Sequence, residues 1–157
     1  MKITLYAIGK TDNPHIIALT ETYVKRLKHY VNFTFDIIPD IKNVKSVSEA
    51  QQKIGEGNEI LKKVQTSDFL CILDEKGTSF SSEKFAVFLQ KKMNSGLKNI
   101  VFVVGGPYGF SEAVYARANS KISLSSMTFS HQMVRLFFIE QVYRGYTILK
   151  NEPYHHK

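Results

Sequence analysis

One cysteine and no tryptophan occur among the 157 residues of this chain. The missing tryptophan excludes nothing, but a lone Cys71 cannot form an internal disulfide, so a reducing compartment is expected. Long apolar runs are missing too. Ile3 to Ile8 is too short for the apolar region of a signal peptide and no later stretch could span a bilayer, so the protein is expected to be cytoplasmic and free of membrane. Metal signatures are absent: His131, His155 and His156 have no neighbouring cysteines, and no H-E-x-x-H occurs. Neither G-x-x-x-x-G-K-[ST] nor G-x-G-x-x-G is found, which argues against a P-loop enzyme and a dinucleotide-dependent oxidoreductase. No repeat, low-complexity tract or linker divides the chain, so residues 1–157 are expected to form a single domain.

Acidic residues also thin out along the chain. The last aspartate is Asp74, and beyond it only Glu75, Glu83, Glu112, Glu140 and Glu152 are acidic. Against 14 acidic residues stand 21 lysines and arginines, a net charge of +7. Solubility alone accounts for such an excess, but its placement in the second half points to a polyanionic partner such as RNA.

What is present alternates. Lys2 to Ile8, Phe33 to Ile38, Asp68 to Leu73, Ile100 to Val104 and Ile122 to Leu124 read as strands rich in β-branched and aromatic residues. Between and after them come helical periodicities. The first starts at Asn13-Pro14 and carries Ile16, Leu19, Tyr23, Leu27 and Tyr30 on one face. A second has Val47, Ala50, Ile54, Leu61 and Val64 on its face and is weakened by Gly55 and Gly57. A third is capped by Ser81 or Ser82, a short fourth starts at Ser111, and a fifth runs from His131 to Lys150. Five such pairs predict an α/β fold, a mostly parallel sheet with helices on both faces.

In such sheets ligands bind beyond the carboxyl ends of the strands, and three of these ends carry unusual loops. They are the charged turn Asp74-Glu75-Lys76-Gly77, the run Gly105-Gly106-Pro107-Tyr108-Gly109-Phe110, and Ser125-Ser126-Met127-Thr128-Phe129. Glycines there let backbone approach a ligand closely, although a glycine-rich turn alone is a weak signal. His131 and Arg135, at i and i+4, share a helix face beside the third loop, and Glu140 with Arg144 reads as a structural ion pair. The tail from Glu152 to Lys157 places Tyr154 beside two imidazoles and a lysine, a composition suited to stacking on bases and meeting phosphates. The last helix spreads Val134, Phe137, Phe138, Val142 and Tyr146 over more than one face, which suggests one face for the sheet and another for a partner subunit.

Taken together, Phe102 to Gly109, Leu124 to Arg135, Glu140 to Arg144 and the terminal Pro153-Tyr154-His155 resemble the ribosomal RNA large subunit methyltransferase H family of the SPOUT class. The resemblance spans the chain, including Met1-Lys2-Ile3, Gly9-Lys10 and Leu73-Asp74-x-x-Gly77. It implies a C-terminal trefoil knot, a homodimer, and S-adenosyl-L-methionine-dependent methylation of N3 of pseudouridine 1915 in 23S rRNA on the assembled ribosome. Carried over by position, it assigns the cofactor to Leu73, Gly105, Leu124, Ser125, Ser126, Met127, Thr128 and Phe129. His131, Arg135, Arg144, Tyr154 and His155 become the catalytic set. Within it, Arg135, Arg144, Tyr154 and His155 are expected to act on RNA, because guanidiniums are repelled by a sulfonium. The chain departs from the common pattern at Ser130, where proline often precedes the histidine and whose absence is expected to loosen the start of the last helix. It also carries an additional terminal histidine, with His155 preferred over His156.

N3 of a uracil-like ring is protonated at neutral pH, so the reaction needs a base or a group that stabilises the anion. His131, Arg135, Tyr143, Arg144, Tyr154 and His155 are candidates for that role, and the residues leave the choice open. Two other readings fit the composition: a SPOUT-class methyltransferase acting on another RNA such as tRNA, and a noncatalytic basic RNA-binding module.

Overall fold

The structure, a computed structural model, describes residues 1–42 and 44–156; Lys157, the end of the tail considered above, lies outside the described residues. Five strands are β1 (Lys2–Ile8), β2 (Asn32–Ile38), β3 (Phe69–Ser79), β4 (Asn99–Val104) and β5 (Ser120–Ser123). They alternate with α1 (Pro14–Leu27), α2 (Glu49–Lys63), α3 (Ser82–Asn94), α4 (Glu112–Arg117) and α5 (His131–Leu149). The sheet order is β2-β1-β4-β3-β5 and every pairing is parallel.

The strands are apolar on both sides because both sides are covered. Ile3, Leu5, Cys71, Ile100 and Phe102 pack with Phe85 and Leu89 of α3 and Phe138, Ile139 and Val142 of α5. On the opposite face Leu70, Ile72, Val101 and Val103 pack with Ile60 of α2 and Val114 of α4. Connections that step toward β2 therefore cross one face and those that step toward β5 cross the other, as a single crossover hand requires. Phe102 and Phe138, both fully buried with ring centroids 4.8 Å apart, join the sheet to α5. Each aromatic ring buried in this way contributes on the order of 1.5–3 kcal/mol.

Local chemistry sets the helix ends. Asn13 caps α1 and Pro14 opens it, while Ser48 and Gln51 exchange hydrogen bonds as a capping box for α2. Ser130 does not loosen α5. Its hydroxyl accepts from the Met133 N–H and serves as the N-cap, a role proline cannot fill.

Two further expectations change. α2 does not bury the stripe that includes Ala50 and Ile54: Ile54 is 57% exposed, and the buried positions are Gln52, Glu56, Gly57 and Ile60. Gly57 is the reason, because without a Cβ the helix settles against Ser111 and Val114. The charged segment Asp74 to Gly77 is no turn ending a strand. Leu73 and Thr78 both pair with Ile122, so the four residues between them bulge out of β3 while the strand continues to Ser79.

Gly77 closes that bulge with no room for a side chain, since a Cβ would stand 2.6 Å from the backbone nitrogen and carbonyl carbon of Ile122. Gly77→Ala is therefore expected to lower stability by about 1–3 kcal/mol. Urea unfolding checks this, and a midpoint equal to the parent's would mean that the bulge does not seat on β5.

Candidate functional site

The β3 bulge and the carboxyl ends of β4 and β5 open into one cleft of about 800 Å3. Leu73 from β3, Gly105 from the end of β4 and residues 124–129 after β5 all line it, so the three loops singled out by the sequence meet in space. His131 and Val134, at the start of α5, complete one wall. A smaller groove of about 480 Å3 between α1 and β2, lined by Lys10, Ile17, Lys25 and Phe35, contains none of these residues.

Serines shape the third loop. Ser123 donates to the Ser125 carbonyl at 3.0 Å, and the Ser125 hydroxyl accepts from the Met127 N–H at 2.9 Å. Met127 is left 74% exposed at the lip, an unusual position for a large apolar side chain. Phe129 packs edge-on against Phe137 with centroids 5.0 Å apart. In the β3 bulge Asp74 accepts from the Lys76 N–H and from the Tyr115 hydroxyl, and burial with this carboxylate pushes the Tyr115 phenol up to about 12.

Arg144, Tyr154 and His155 also meet, at the other end of α5. Glu140 organises them: it accepts from Arg144 Nε at 3.1 Å and from the Tyr154 hydroxyl at 2.9 Å. The Tyr154 hydroxyl also lies 3.1 Å from that of Tyr23 on α1. Burial, Tyr23 and Glu140 push the Tyr154 phenol upward, so it stays protonated, and the Glu140 hydrogen bond pushes Arg144 upward as well. Tyr143 packs edge-on against Tyr154 with centroids 4.8 Å apart, and Arg144 lies over the Tyr154 ring.

His155 bridges Arg144 and α3. Its Nδ1 is 3.3 Å from Arg144 Nη1, and a guanidinium can only donate, so Nδ1 accepts. The ring proton is thereby assigned to Nε2, which donates to Glu83 at 3.0 Å. That hydrogen bond holds the Glu83 carboxyl down at about 2. His156, by contrast, is exposed.

Arg135 is not where the sequence reading put it. It was expected beside His131, facing RNA, but it is only 2% exposed and turns inward toward β1. It donates to the carbonyls of Ile8 and Gly9 and to the Thr11 hydroxyl, leaving no face for a phosphate. The reason is topological. The connections from β1 and β4 diverge, which leaves a crevice between their carboxyl ends, and Arg135 fills its β1 side. Burial pushes the guanidinium down, opposed by Asp40 and Asp12.

Three residues escaped the sequence reading. Glu140 was taken only as half of a helix ion pair, and Tyr23 only as an apolar position; the hub they form depends on α1 packing beside α5. Glu56, on α2, is 3% exposed and lies against Gly106, where a Cβ would collide with its carboxylate. No spacing in the sequence couples α2 to that loop. Among the described residues no group of three or more histidine, cysteine, aspartate or glutamate side chains could hold a metal ion, and no helix is long and apolar enough to cross a membrane.

Arg135 and Arg144 should separate by stability. Arg135→Met strands two buried carbonyls and is expected to cost about 2–4 kcal/mol, whereas Arg144→Met should cost about 1 kcal/mol or less because its ion pair is partly solvated. Denaturant unfolding of both variants checks this, and equal losses would contradict the structural role of Arg135.

Known proteins bear on this geometry. A family model described as "Predicted SPOUT methyltransferase" matches residues 1–155. Proteins named ribosomal RNA large subunit methyltransferase H from Christiangramia forsetii and Flavobacterium johnsoniae are 62% and 63% identical to the chain, each over 100% of both sequences. Among solved structures, the tRNA (m1G37) methyltransferase from Aquifex aeolicus aligns with a TM-score of 0.54 at 18% identity, covering 100% of this chain and 76% of that one. At that identity the likeness concerns the fold. Full-length identity and the converged loops lead to one assignment: the chain belongs to the SPOUT methyltransferases, in the ribosomal RNA large subunit methyltransferase H family.

Proposed function

We propose that the protein transfers a methyl group from S-adenosyl-L-methionine to N3 of pseudouridine 1915 in 23S rRNA, acting as a cytoplasmic homodimer on the assembled ribosome. The observation that carries this reading is the single cleft in which Leu73, Gly105 and residues 124–129 converge. Its residues suit the cofactor. Gly105, Gly106 and Gly109 expose backbone groups, Leu73, Leu124 and Met127 offer apolar contact to an adenine, and the volume lies in the range of small-molecule sites. The buried free thiol of Cys71 fits a reducing compartment.

S-adenosyl-L-methionine supplies a methyl already activated on a sulfonium, so no nucleophilic side chain is required. The chain has to align the accepting nitrogen and lower the cost of removing its proton. Tyr154, held protonated, is a hydrogen-bond donor and not a base. Arg144 stays charged, so its guanidinium can stabilise negative charge spreading onto the oxygens of the target ring, while Tyr154, whose one hydroxyl proton goes to Glu140, fixes the carboxylate that orients it. His155 holds Arg144 on one side and Glu140 holds it on the other.

Distance is the argument for a dimer. From His131 to Arg144 the helix rises by about 20 Å, whereas methyl transfer needs reacting atoms roughly 3–3.5 Å apart. One protomer cannot bring its own tail cluster to its own cleft, but a two-fold partner can present its tail there. Exposed Met127, Phe129 and Phe137 beside the cleft supply apolar surface for such a contact. The reading includes the C-terminal trefoil knot, supported by the path of α5, which leaves β5 at one edge of the sheet yet bonds to the end of β1.

Mass mapping of large-subunit rRNA from cells with and without the protein tests the assignment. Loss of one methyl group at the target pseudouridine is expected, and an unchanged pattern would remove it. Deleting residues 154–157 should leave cofactor affinity within a few-fold of the parent, while methyl transfer to ribosomes falls by orders of magnitude as substrate-positioning groups are lost. Calorimetry and transfer assays on the truncated protein check this; full activity, or equal loss of cofactor binding, would contradict the division between cleft and tail.

A further inference from the structure

α2 gives the cleft only Lys53, yet its middle turns form the wall behind the glycine loop. At Gly57 a Cβ would strike the hydroxyl of Ser111, the N-cap of α4, and at Gly106 a Cβ would strike both carboxylate oxygens of Glu56. Gly106 and Ser111 therefore rest directly on α2, one against the Glu56 carboxyl group and the other with its hydroxyl against Gly57.

The carboxyl group is out of place on stability grounds. Glu56 is 3% exposed; Gln52 Nε2 donates to its Oε1 at 2.8 Å, and its Oε2 has no hydrogen-bond partner. Burial pushes the group upward and Asp40, after β2, adds to the effect, while Gln52 and His131 oppose it. An apolar side chain of similar length would fill this space without stranding an oxygen. Buried polar groups that weaken a fold are characteristic of functional sites.

We propose that Glu56 is a positioning residue for the cofactor cleft: with cofactor seated, its unpartnered oxygen accepts a backbone N–H from the glycine loop and holds the loop in its gripping shape. Between Gly106 and Gly109 the candidate donors are Gly106 and Tyr108, because Pro107 has no N–H and the Gly109 N–H already donates to the Gly106 carbonyl at 3.2 Å. Glu56 acts through the loop and does not touch the cofactor. The inference rests on the S-adenosyl-L-methionine reading of the cleft.

The test uses the full chain as parent, Glu56→Met and Glu56→Gln. Calorimetry with S-adenosylmethionine and with S-adenosylhomocysteine is set beside thermal unfolding without ligand. Glu56→Met offers the loop only a weakly accepting thioether and should lose about 10-fold or more in affinity for both ligands. Its unfolding midpoint should stay level, because the stranded Oε2 is gone while the Gln52 amide loses its acceptor. Glu56→Gln can offer an oxygen to the loop once the Gln52 amide turns, and should bind within about three-fold of the parent. Three results would each overturn the proposal: Glu56→Met binding as the parent does, a midpoint that falls together with affinity, or a Gln variant as weak as the Met variant. A parent that binds neither ligand would remove the cofactor reading and this inference together, whereas unaltered binding in the Met variant would remove only the role of Glu56.

Discussion

The guanidinium of Arg135 sits on the carbonyls of Ile8 and Gly9, and much of the cleft depends on that contact. Those carbonyls lie just past the last pairing of β1 with β4, at Ala7 and Val104, and a buried acceptor without a partner costs about 1–3 kcal/mol. The partner comes from 126 positions away in the chain. Anchored there, α5 begins over the carboxyl ends of the central strands, which places His131 and Val134 in the cleft wall and residues 124–129 across from Gly105. Gln132 adds a second tie, accepting from the N–H groups of Asp12 and Asn13 at 3.1 Å each.

From this anchor the helix separates two chemistries. Its first turn meets glycines, aliphatic side chains and serine hydroxyls, a surface that can wrap a small cationic cofactor without placing arginine beside it. Its last turns carry Glu140, Tyr143 and Arg144, joined by the returning tail and by Tyr23 and Tyr30 of the first helical region. The hydrogen bond from Tyr30 to Glu152 pushes the Tyr30 phenol up to about 12 and ties the tail down before Tyr154. The tail from Glu152 to His155 is therefore a built part of the molecule, and its groups are oriented in advance, which would reduce the ordering cost of any binding there.

Close approach is the common device under α2 and along the β3–β5 pairing. Gly57 against Ser111, Gly106 against Glu56 and Gly77 against the β5 backbone are contacts at which a methyl group would displace the neighbour. Each brings backbone to the edge of the cleft, and side-chain bulk at any of them would move a loop that lines it.

Periodicity and composition alone determined the alternation of strands and helices, their order and the apolar character of both sheet faces, because local propensity and burial act over a few residues. The charge pattern and the loops at strand ends marked where a ligand would bind, and the composite motif identified the family. What the tertiary structure decided lies in contacts between distant segments. Arg135 reads as a surface arginine one turn after His131, and only the crevice beside β1 turns it inward. The Asp74 to Gly77 segment reads as a turn, and only β5 shows that the strand resumes beyond it. Ile54 fits an apolar stripe, but Gly57 rotates α2 onto another face, burying Glu56 instead. In each case packing against a partner far along the chain, which no local pattern encodes, outweighed the local preference.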